Sequence, residues 1–373
     1  MNATKILIVT SEFPPQPGGI GDHAYNVALY LSRAGYDVSV IADQRSINGN
    51  EEANFDTTLS FKMLRVPMTN PRFKMYFNRI SLLRNAIRSA DVVIASGKFS
   101  LWSVAILGRR RSIVSLAVIH GSEVNFSNRL LKVSINSALQ QFVKVIAVSH
   151  FTKSLIPLEV QKKTVVIPNG FNSDKWNINT TTDIQLSGTP KLITVGHVSE
   201  RKGQHEVIKL LPRLILRFPN IAYHCVGLPT AQTACELLAK QLGVEKHVFF
   251  HGRVSNDVLK TALEASDVFV MLSTATTTGD VEGFGIALLE ANALGIPAIG
   301  AKGCGIEDAI RDGESGFLVT LGDQSAFEDA LEQLLTSKEA YAKTSKKWAD
   351  EHQWDIIIKN YIEEIEKSIV NTK

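Results

Sequence analysis

Residues 171–190, FNSDKWNINTTTDIQLSGTP, decide how the fold is read. This stretch is polar, rich in Asn and Thr, and without apolar periodicity, and it falls close to the middle of a chain of 373 residues. Such a composition gives no face to bury, so 172–190 reads as a linker. The turn Pro168-Asn169-Gly170 closes what precedes it. Working back from the linker, apolar and β-branched runs at 5–9, 37–42, 91–95, 113–119, 144–148 and 164–167 alternate with helical patterns, the first helix starting near Asp22. Working forward, strands are expected at 191–195, 221–226, 247–250, 267–271 and 296–300, with helices near 204–217, 231–241, 255–265 and 285–294. Pro212 should kink or shorten the first of those helices. Alternation of this kind is the pattern of parallel sheets, so the class is α/β, with two doubly wound domains at 1–171 and 191–352. At roughly 150 residues per domain, the length agrees. The remaining 353–373 carries Trp354, Ile358, Tyr361, Ile365 and Ile369 at spacings of 4, 3, 4 and 4, one apolar helix face for which the second domain leaves no place.

Composition narrows the classes further. Hydrophobic residues at 45% and charged ones at 21% exclude a disordered or fibrous chain. Cys225, Cys235 and Cys304 are odd in number and lack paired-motif spacing, which argues against disulfides and zinc and for a reducing, cytoplasmic home. The apolar run Ile6 to Val9 is too short for a signal segment. Val92 to Gly108 is interrupted by Ser96, Lys98 and Ser100, so no membrane span is expected.

Charge is uneven: residues 1–188 hold 21 Lys+Arg against 12 Asp+Glu, net +9, while 189–373 hold 19 against 25, net −6. Within 62–111, Lys62, Arg65, Arg72, Lys74, Arg79, Arg84, Arg88, Lys98, Arg109, Arg110 and Arg111 face only Asp91. The first half should therefore meet something anionic. Tyr76, Ile80, Leu83 and Ile87 form a stripe flanked by Arg79 on one side and Arg84 and Arg88 on the other, a basic amphipathic helix suited to an anionic membrane surface. Its ordinary alternative is a core-facing helix with solvated arginines. No aromatic-basic recognition motif accompanies the charge, so nucleic acid is not expected.

Chemistry-bearing residues cluster where the strands end, at the edge where open α/β sheets bind ligands. The first βα loop ends Gly18-Gly19-Ile20-Gly21, letting backbone approach a phosphate or sugar, or serving only as a turn. His120 follows the strand ending at Ile119; a lone histidine there is a candidate ligand residue or a satisfied structural one. In Gly196-His197-Val198-Ser199-Glu200-Arg201-Lys202-Gly203, Arg201 and Lys202 suit a phosphate, or are solvated loop charges. Glu282-Gly283-Phe284-Gly285-Ile286-Ala287-Leu288-Leu289-Glu290 places two acids eight residues apart across a glycine-flanked helix start. Glu290 sits among apolar neighbours, where an acid needs a partner.

Together, GGIG, HGSE, IPNGF, GHVSERKG, EGFGIALLE and the later GCGIED and DGESG resemble the retaining glycosyltransferases of family 4 along nearly the whole chain. The Ser/Thr run before Gly279-Asp280-Val281-Glu282 is similar to the phosphatidylinositol mannosyltransferase and polysaccharide-assembly branch. The resemblance implies the GT-B fold, two Rossmann-like domains facing a central cleft, with the last helix returning to the first domain. It implies a nucleotide-sugar donor, UDP- or GDP-linked, and a glycan or lipid-diphosphate acceptor in surface polysaccharide, lipopolysaccharide or glycolipid assembly. It further implies an enzyme in the cytoplasm, peripheral at the inner face of the membrane.

By the resemblance, Gly18 and Gly19 approach the donor, His120 lies beside its sugar, and Lys202 binds the diphosphate. Glu282 holds the sugar hydroxyls, the amides of Phe284 and Gly285 lie by the sugar and phosphate (Gly283, with Gly285, exposing backbone at the helix start), Glu290 takes the ribose, and the base sits near His251-Gly252-Arg253-Val254. Where the family has an arginine five residues before the lysine, this chain has His197, which helps a diphosphate only when protonated. Arg201 could supply the guanidinium, but in extended backbone it would point away from Lys202. No Asp-x-Asp occurs, so transfer is expected to need no cofactor or metal, cations and amides carrying the leaving group's charge. A sugar-nucleotide epimerase and a catalytically silent nucleotide-sugar-binding subunit remain the competing readings.

Overall fold

The computed structural model describes residues 3–70, 72–108, 113–176 and 184–372. The chain divides into two compact units, one made of Met1–Gly170 with Trp354–Lys373, the other of Phe171–Gln353. The first unit runs β1 (Lys5–Thr10), α1 (Gly19–Arg33), β2 (Asp37–Asp43), α2 (Asn50–Asp56), β3 (Lys62–Val66), α3 (Arg72–Ala86), β4 (Val92–Ser96), α4 (Lys98–Gly108), β5 (Val114–Ile119), α5 (Arg129–Leu139), β6 (Lys144–Ala147), α6 (His150–Ser154), α7 (Leu158–Gln161) and β7 (Thr164–Val166). The second runs β8 (Lys191–Val195), α8 (Gln204–Arg217), β9 (Ala222–Val226), α9 (Gln232–Gln241), β10 (Val248–Gly252), α10 (Asn256–Glu264), β11 (Val268–Met271), α11 (Ile286–Ala293), β12 (Ala298–Ala301), β13 (Gly316–Val319), α12 (Gln324–Thr336) and α13 (Lys338–Asp350). The last helix, α14 (Trp354–Thr372), belongs to the first unit.

Both sheets are parallel. The first has the order β3-β2-β1-β4-β5-β6-β7 and the second β10-β9-β8-β11-β12-β13. Strand order reverses between β1 and β4 and between β8 and β11, and at each reversal two loops leave the sheet side by side, the place where a doubly wound sheet takes a ligand. Strands covered on both faces have no polar alternation to keep, which is why β4 and β5 are buried at every residue. Two strands are not expected from the sequence pattern: β3 is interrupted by Lys62 and Arg65, and β13 is four residues long behind a turn. Pro212 lies inside α8 without shortening it.

The segment expected to be a linker packs into the second unit at both described ends. Phe171 donates its amide to the His352 carbonyl at 3.0 Å, and Trp176 and Leu186 are buried. Residues 177–183 lie outside the described residues. Helix α14 packs its stripe against α1 and β5, with Trp354, Tyr361 and Ile365 almost fully covered. A side chain at Gly170 would come within 2.7 Å of the Trp354 ring, so this turn residue must be glycine for the helix to dock.

The basic segment is not uniformly a surface. Arg79, expected on a membrane-facing flank, is buried: its Nε donates to Asp43 Oδ1 at 2.9 Å, and the guanidinium stacks over Phe99. Burial raises the Asp43 carboxyl's proton affinity, and Arg79 opposes that rise. Arg65 is also spent internally, on Asp56 and the Pro14 carbonyl. The stripe on α3 splits, since Leu83 and Ile87 enter the core while Tyr76 and Ile80 stay exposed beside Phe73, Phe77, Lys74, Arg84 and Arg88. Arg109 to Arg111 lie outside the described residues.

Candidate active site

In the second unit, the loop after β8 and the loop after β11 meet at the strand-order reversal. Residues Glu200–Lys202 form a 3-10 turn, and Gly203 follows at φ +75° against the Leu272 carbonyl, a place no side chain could occupy. The turn is the reason for a correction. In extended backbone Arg201 and Lys202 would diverge, whereas here both converge on Glu282 Oε2, Lys202 Nζ at 2.8 Å and Arg201 through a short ion pair. Arg201 Nε also lies 3.1 Å from Asp280 Oδ2, a second ion pair. Burial alone would raise the Glu282 carboxyl, but Lys202 and then Arg201 outweigh it and hold the acid below its ordinary value, so it is a carboxylate at neutral pH.

His197 is exposed at the start of the same loop. Its imidazole is held below the ordinary histidine value by burial, then by Arg201 and Lys202, so at pH 7 it is neutral and adds no charge. Glu282 leads into Gly283, Phe284 and Gly285; the Gly305 amide donates to the Glu282 carbonyl at 2.9 Å, and a side chain at Gly305 would strike the Gly283 carbonyl. Gly285 caps α11 with φ +90°, and among the amides that start the helix that of Leu288 donates to the Gly285 carbonyl at 2.9 Å. Glu290 lies in the second turn of α11, half-buried. Arg253 and Val254 follow β10, the edge strand two places from β8. The second unit therefore gathers Arg201, Lys202 and Glu282 tightly, with Asp280 as a member that sequence reading quoted but assigned no role.

In the first unit, Gly18 caps α1, which begins at Gly19 and not near Asp22, so Gly19 and Gly21 are helical residues. A side chain at Gly18 would run into the Glu12 carboxylate. His120 follows β5, its Nε2 2.9 Å from Ser96 Oγ at the end of β4 and its ring edge-on to His23 at 4.8 Å. His23 Nε2 lies 2.8 Å from the Tyr361 hydroxyl on α14. Burial depresses His120 to about 4, and burial, then His120, depresses His23, so both rings are neutral. Glu123 is buried, accepts the His120 amide on Oε1, leaves Oε2 without a partner, and is pushed up to about 7 by burial. His23 and Tyr361 stand 338 residues apart and could not be paired from sequence. Glu123 left a trace: it is an acid three residues after His120 in a stretch almost without acids.

Taken separately, the second unit's paired cations and carboxylate can take an anion and a hydroxyl, and the first unit's neutral His120 can accept or donate a hydrogen bond at its strand end. Two families match the chain, one described as Glycosyl transferases group 1 over residues 181–350 and one as Glycosyltransferase Family 4 over residues 17–175. A GDP-mannose-dependent alpha-(1-6)-phosphatidylinositol monomannoside mannosyltransferase of Mycolicibacterium smegmatis is 26% identical over 94% of this chain and 95% of its own. A GDP-mannose-dependent monoacylated alpha-(1-6)-phosphatidylinositol monomannoside mannosyltransferase of Corynebacterium glutamicum is 26% identical over 89% of this chain and 88% of its own. Among solved structures, Anabaena HepE in complex with UDP and glucose has a TM-score of 0.78 at 19% identity, covering 98% of this chain and 100% of its own. The lipopolysaccharide outer core galactosyltransferase WaaB has a TM-score of 0.72 at 17% identity, covering 98% and 99%.

Proposed function

The chain belongs to the group 1, family 4 glycosyl transferases and is a hexosyltransferase-type enzyme of GT-B architecture, and from that premise we propose that it moves a hexose, with retention and without a metal ion, from a nucleoside-diphosphate sugar to a lipid- or glycan-borne acceptor. The observation that carries this reading is the convergence of Arg201 and Lys202 on Glu282 beside the N-terminus of α11. As the bond to the anomeric carbon breaks, negative charge grows on the departing diphosphate. Two cations and the helix-start amides, fixed in place beforehand, stabilise that charge most in the transition state. This is the role a divalent ion otherwise fills.

Glu282 takes the hydroxyls of the transferred sugar. A carboxylate already shared by two cations is a weak nucleophile, so the acceptor oxygen bonds to the anomeric carbon on the face the diphosphate leaves, that new bond replacing the bond to the leaving phosphate, which takes the acceptor's proton. His120, assigned to the sugar by the family likeness, is kept neutral and is held by Ser96, which suits it to orient a hydroxyl and not to supply charge. Glu290, Arg253 and Val254 are assigned to the nucleoside. The relatives named for GDP-mannose and phosphatidylinositol acceptors support a lipid acceptor, and the exposed aromatic and basic residues of α3 support a membrane surface on which the enzyme works, peripheral on the cytoplasmic side.

The test is a panel of UDP- and GDP-hexoses scored by thermal stabilisation, since a ligand that binds only the folded form raises the melting point. Transfer is then measured with Lys202→Ala. The loss of one charge-assisted contact, about 1.5–3 kcal/mol, should cut donor turnover roughly 10- to 150-fold. Wild-type kinetics in this variant would remove Lys202 from the site, and stabilisation by a nucleotide sugar without transfer to any acceptor would favour a silent subunit.

A further inference from the structure

We propose that Asp280 is a positioning residue for the donor diphosphate: it grips Arg201 by the Nε edge so that the guanidinium stands beside Lys202, letting two consecutive cations form the pair that His197 cannot complete. The proposal rests on the donor-site reading above. It also gives a task to the threonine-rich loop Thr274–Asp280, which no assignment so far uses.

That loop is built as a clamp on the Glu200–Lys202 turn. The Thr274 amide donates to the Arg201 carbonyl at 3.1 Å, and Thr274 Oγ1 donates to the Glu200 carbonyl at 3.0 Å, so the backbone carrying Arg201 is tied to the strand end after β11. Two residues on, the loop closes on itself. The Thr276 amide donates to the Asp280 carbonyl at 2.9 Å, the Asp280 amide donates to Thr276 Oγ1 at 3.0 Å, and the Gly279 amide donates to the Thr276 carbonyl at 3.0 Å. Asp280 thus stands on a rigid turn, and its Oδ2 meets Arg201 Nε at 3.1 Å although its side chain is 48% exposed.

An acid beside an anion site is a liability if it acts only through its field, because it weakens the attraction for phosphate. A fork-shaped guanidinium on a long flexible stem, however, gains from being fixed at Nε by Asp280, so that its Nη1 side stays at Glu282, where the diphosphate is proposed to arrive. The two accounts predict opposite signs. If Asp280 acts by its field, removing it tightens nucleoside diphosphate binding. If it acts by positioning, removing it weakens binding, and an uncharged side chain with an oxygen in the same place restores most of it.

The experiment is calorimetric titration of the full chain with UDP, GDP and the corresponding nucleosides, in wild type, Asp280→Ala, Asp280→Asn, Arg201→Ala and the Arg201→Ala, Asp280→Ala double variant. Asp280→Ala should weaken the nucleoside diphosphate about tenfold and leave the nucleoside unchanged. Asp280→Asn, which keeps an acceptor for Nε, should stay within about twofold of wild type, and Asp280→Ala should cost nothing further when Arg201 is absent. Should Asp280→Ala not fold, Asp280→Ser, too short to reach Nε, takes its place. Equal or tighter diphosphate binding in Asp280→Ala, or an equal loss without Arg201, overturns the proposal and leaves the donor site standing. Failure of wild type to bind either nucleoside diphosphate overturns both.

Discussion

Glu282 pairs with both Arg201 and Lys202, the two cations proposed to take the diphosphate, and replacing it by glutamine should separate binding from chemistry. At 2.8 Å and an effective dielectric of about 20, the Lys202–Glu282 attraction is about 6 kcal/mol gross. Most of that is offset by desolvation, because the two side chains are only 13% and 11% exposed. What an arriving phosphate displaces is therefore closer to the net value of a charge-assisted hydrogen bond, about 1.5–3 kcal/mol. Gln keeps the size and an acceptor oxygen and deletes the charge. The free protein should lose about 2–3 kcal/mol of stability, less than the full cost of breaking a buried pair because Arg201 keeps Asp280. The bare nucleoside diphosphate should bind about tenfold tighter, and transfer should fall at least ~100-fold as the sugar loses its charged acceptor. The stability difference has a sign that can be checked against pH. A carboxyl held below its ordinary value of 4.5 stabilises the fold above that value, and the contribution is lost as pH falls through the lower folded value. Melting points of wild type and Glu282→Gln should thus converge in acid. Titration calorimetry, melting curves from pH 3 to 8 and a transfer assay test the three outcomes; weaker diphosphate binding together with an unchanged melting point would refute the picture of Glu282 as an internal counterion.

Two further outcomes follow from the same loop. Because His197 is held below the ordinary histidine value, it becomes a cation only below about pH 6.5, lower than the pH 6 to 8 window an unperturbed histidine would give. Donor affinity should therefore rise as pH falls below that point, and His197→Arg should flatten the rise and tighten binding at pH 7 to 8; matching profiles for the two proteins would place His197 outside the phosphate site. Transfer should persist in excess EDTA, since Arg201, Lys202 and the start of α11 neutralise the leaving group, and complete loss restored by Mg²⁺ or Mn²⁺ would refute metal independence.

Legibility in the sequence followed burial. Strands covered on both faces, such as β4 and β5, are continuous apolar runs and were found to within about one residue, while β3, interrupted by Lys62 and Arg65, gives no such run. The edge positions of the motifs follow from strand ends, which is why the sequence places His120, Lys202 and Glu282 in loops at the ligand-binding edge of their sheets. Side-chain direction did not follow, because it depends on local backbone. A three-residue 3-10 turn at Glu200–Lys202 reverses the inference made from an extended loop. Contacts across hundreds of residues, such as His23 with Tyr361, leave no local pattern at all.

The basic half shows how a charge count and a surface differ. Arg65 and Arg79 inflate the count without facing solvent, since one holds the Pro14 carbonyl of the β1–α1 loop and the other neutralises Asp43 at the end of β2. Their removal from the surface does not weaken the case for an anionic partner, because acids are scarcer still. From Thr57 to Leu158 the only acids are Asp91 and Glu123. Glu123 is buried and is pushed up to about 7, so it projects little charge. For the proposed membrane contact, exposed Phe73, Phe77 and Ile80 of α3 stand with exposed Lys74, Arg84 and Arg88. Each basic residue near an anionic leaflet contributes about 1 kcal/mol, so changing Arg84 and Arg88 to Glu should cost roughly 4 kcal/mol by removing two attractions and adding two repulsions. Co-sedimentation with vesicles of anionic and of neutral lipid, for wild type and for Arg84→Glu, Arg88→Glu, measures it. Wild type should pellet only with anionic vesicles at low salt and the variant with neither, its melting point unchanged because both side chains are exposed; a wild type that ignores anionic vesicles, or a variant that binds them equally, would assign the enzyme a soluble acceptor.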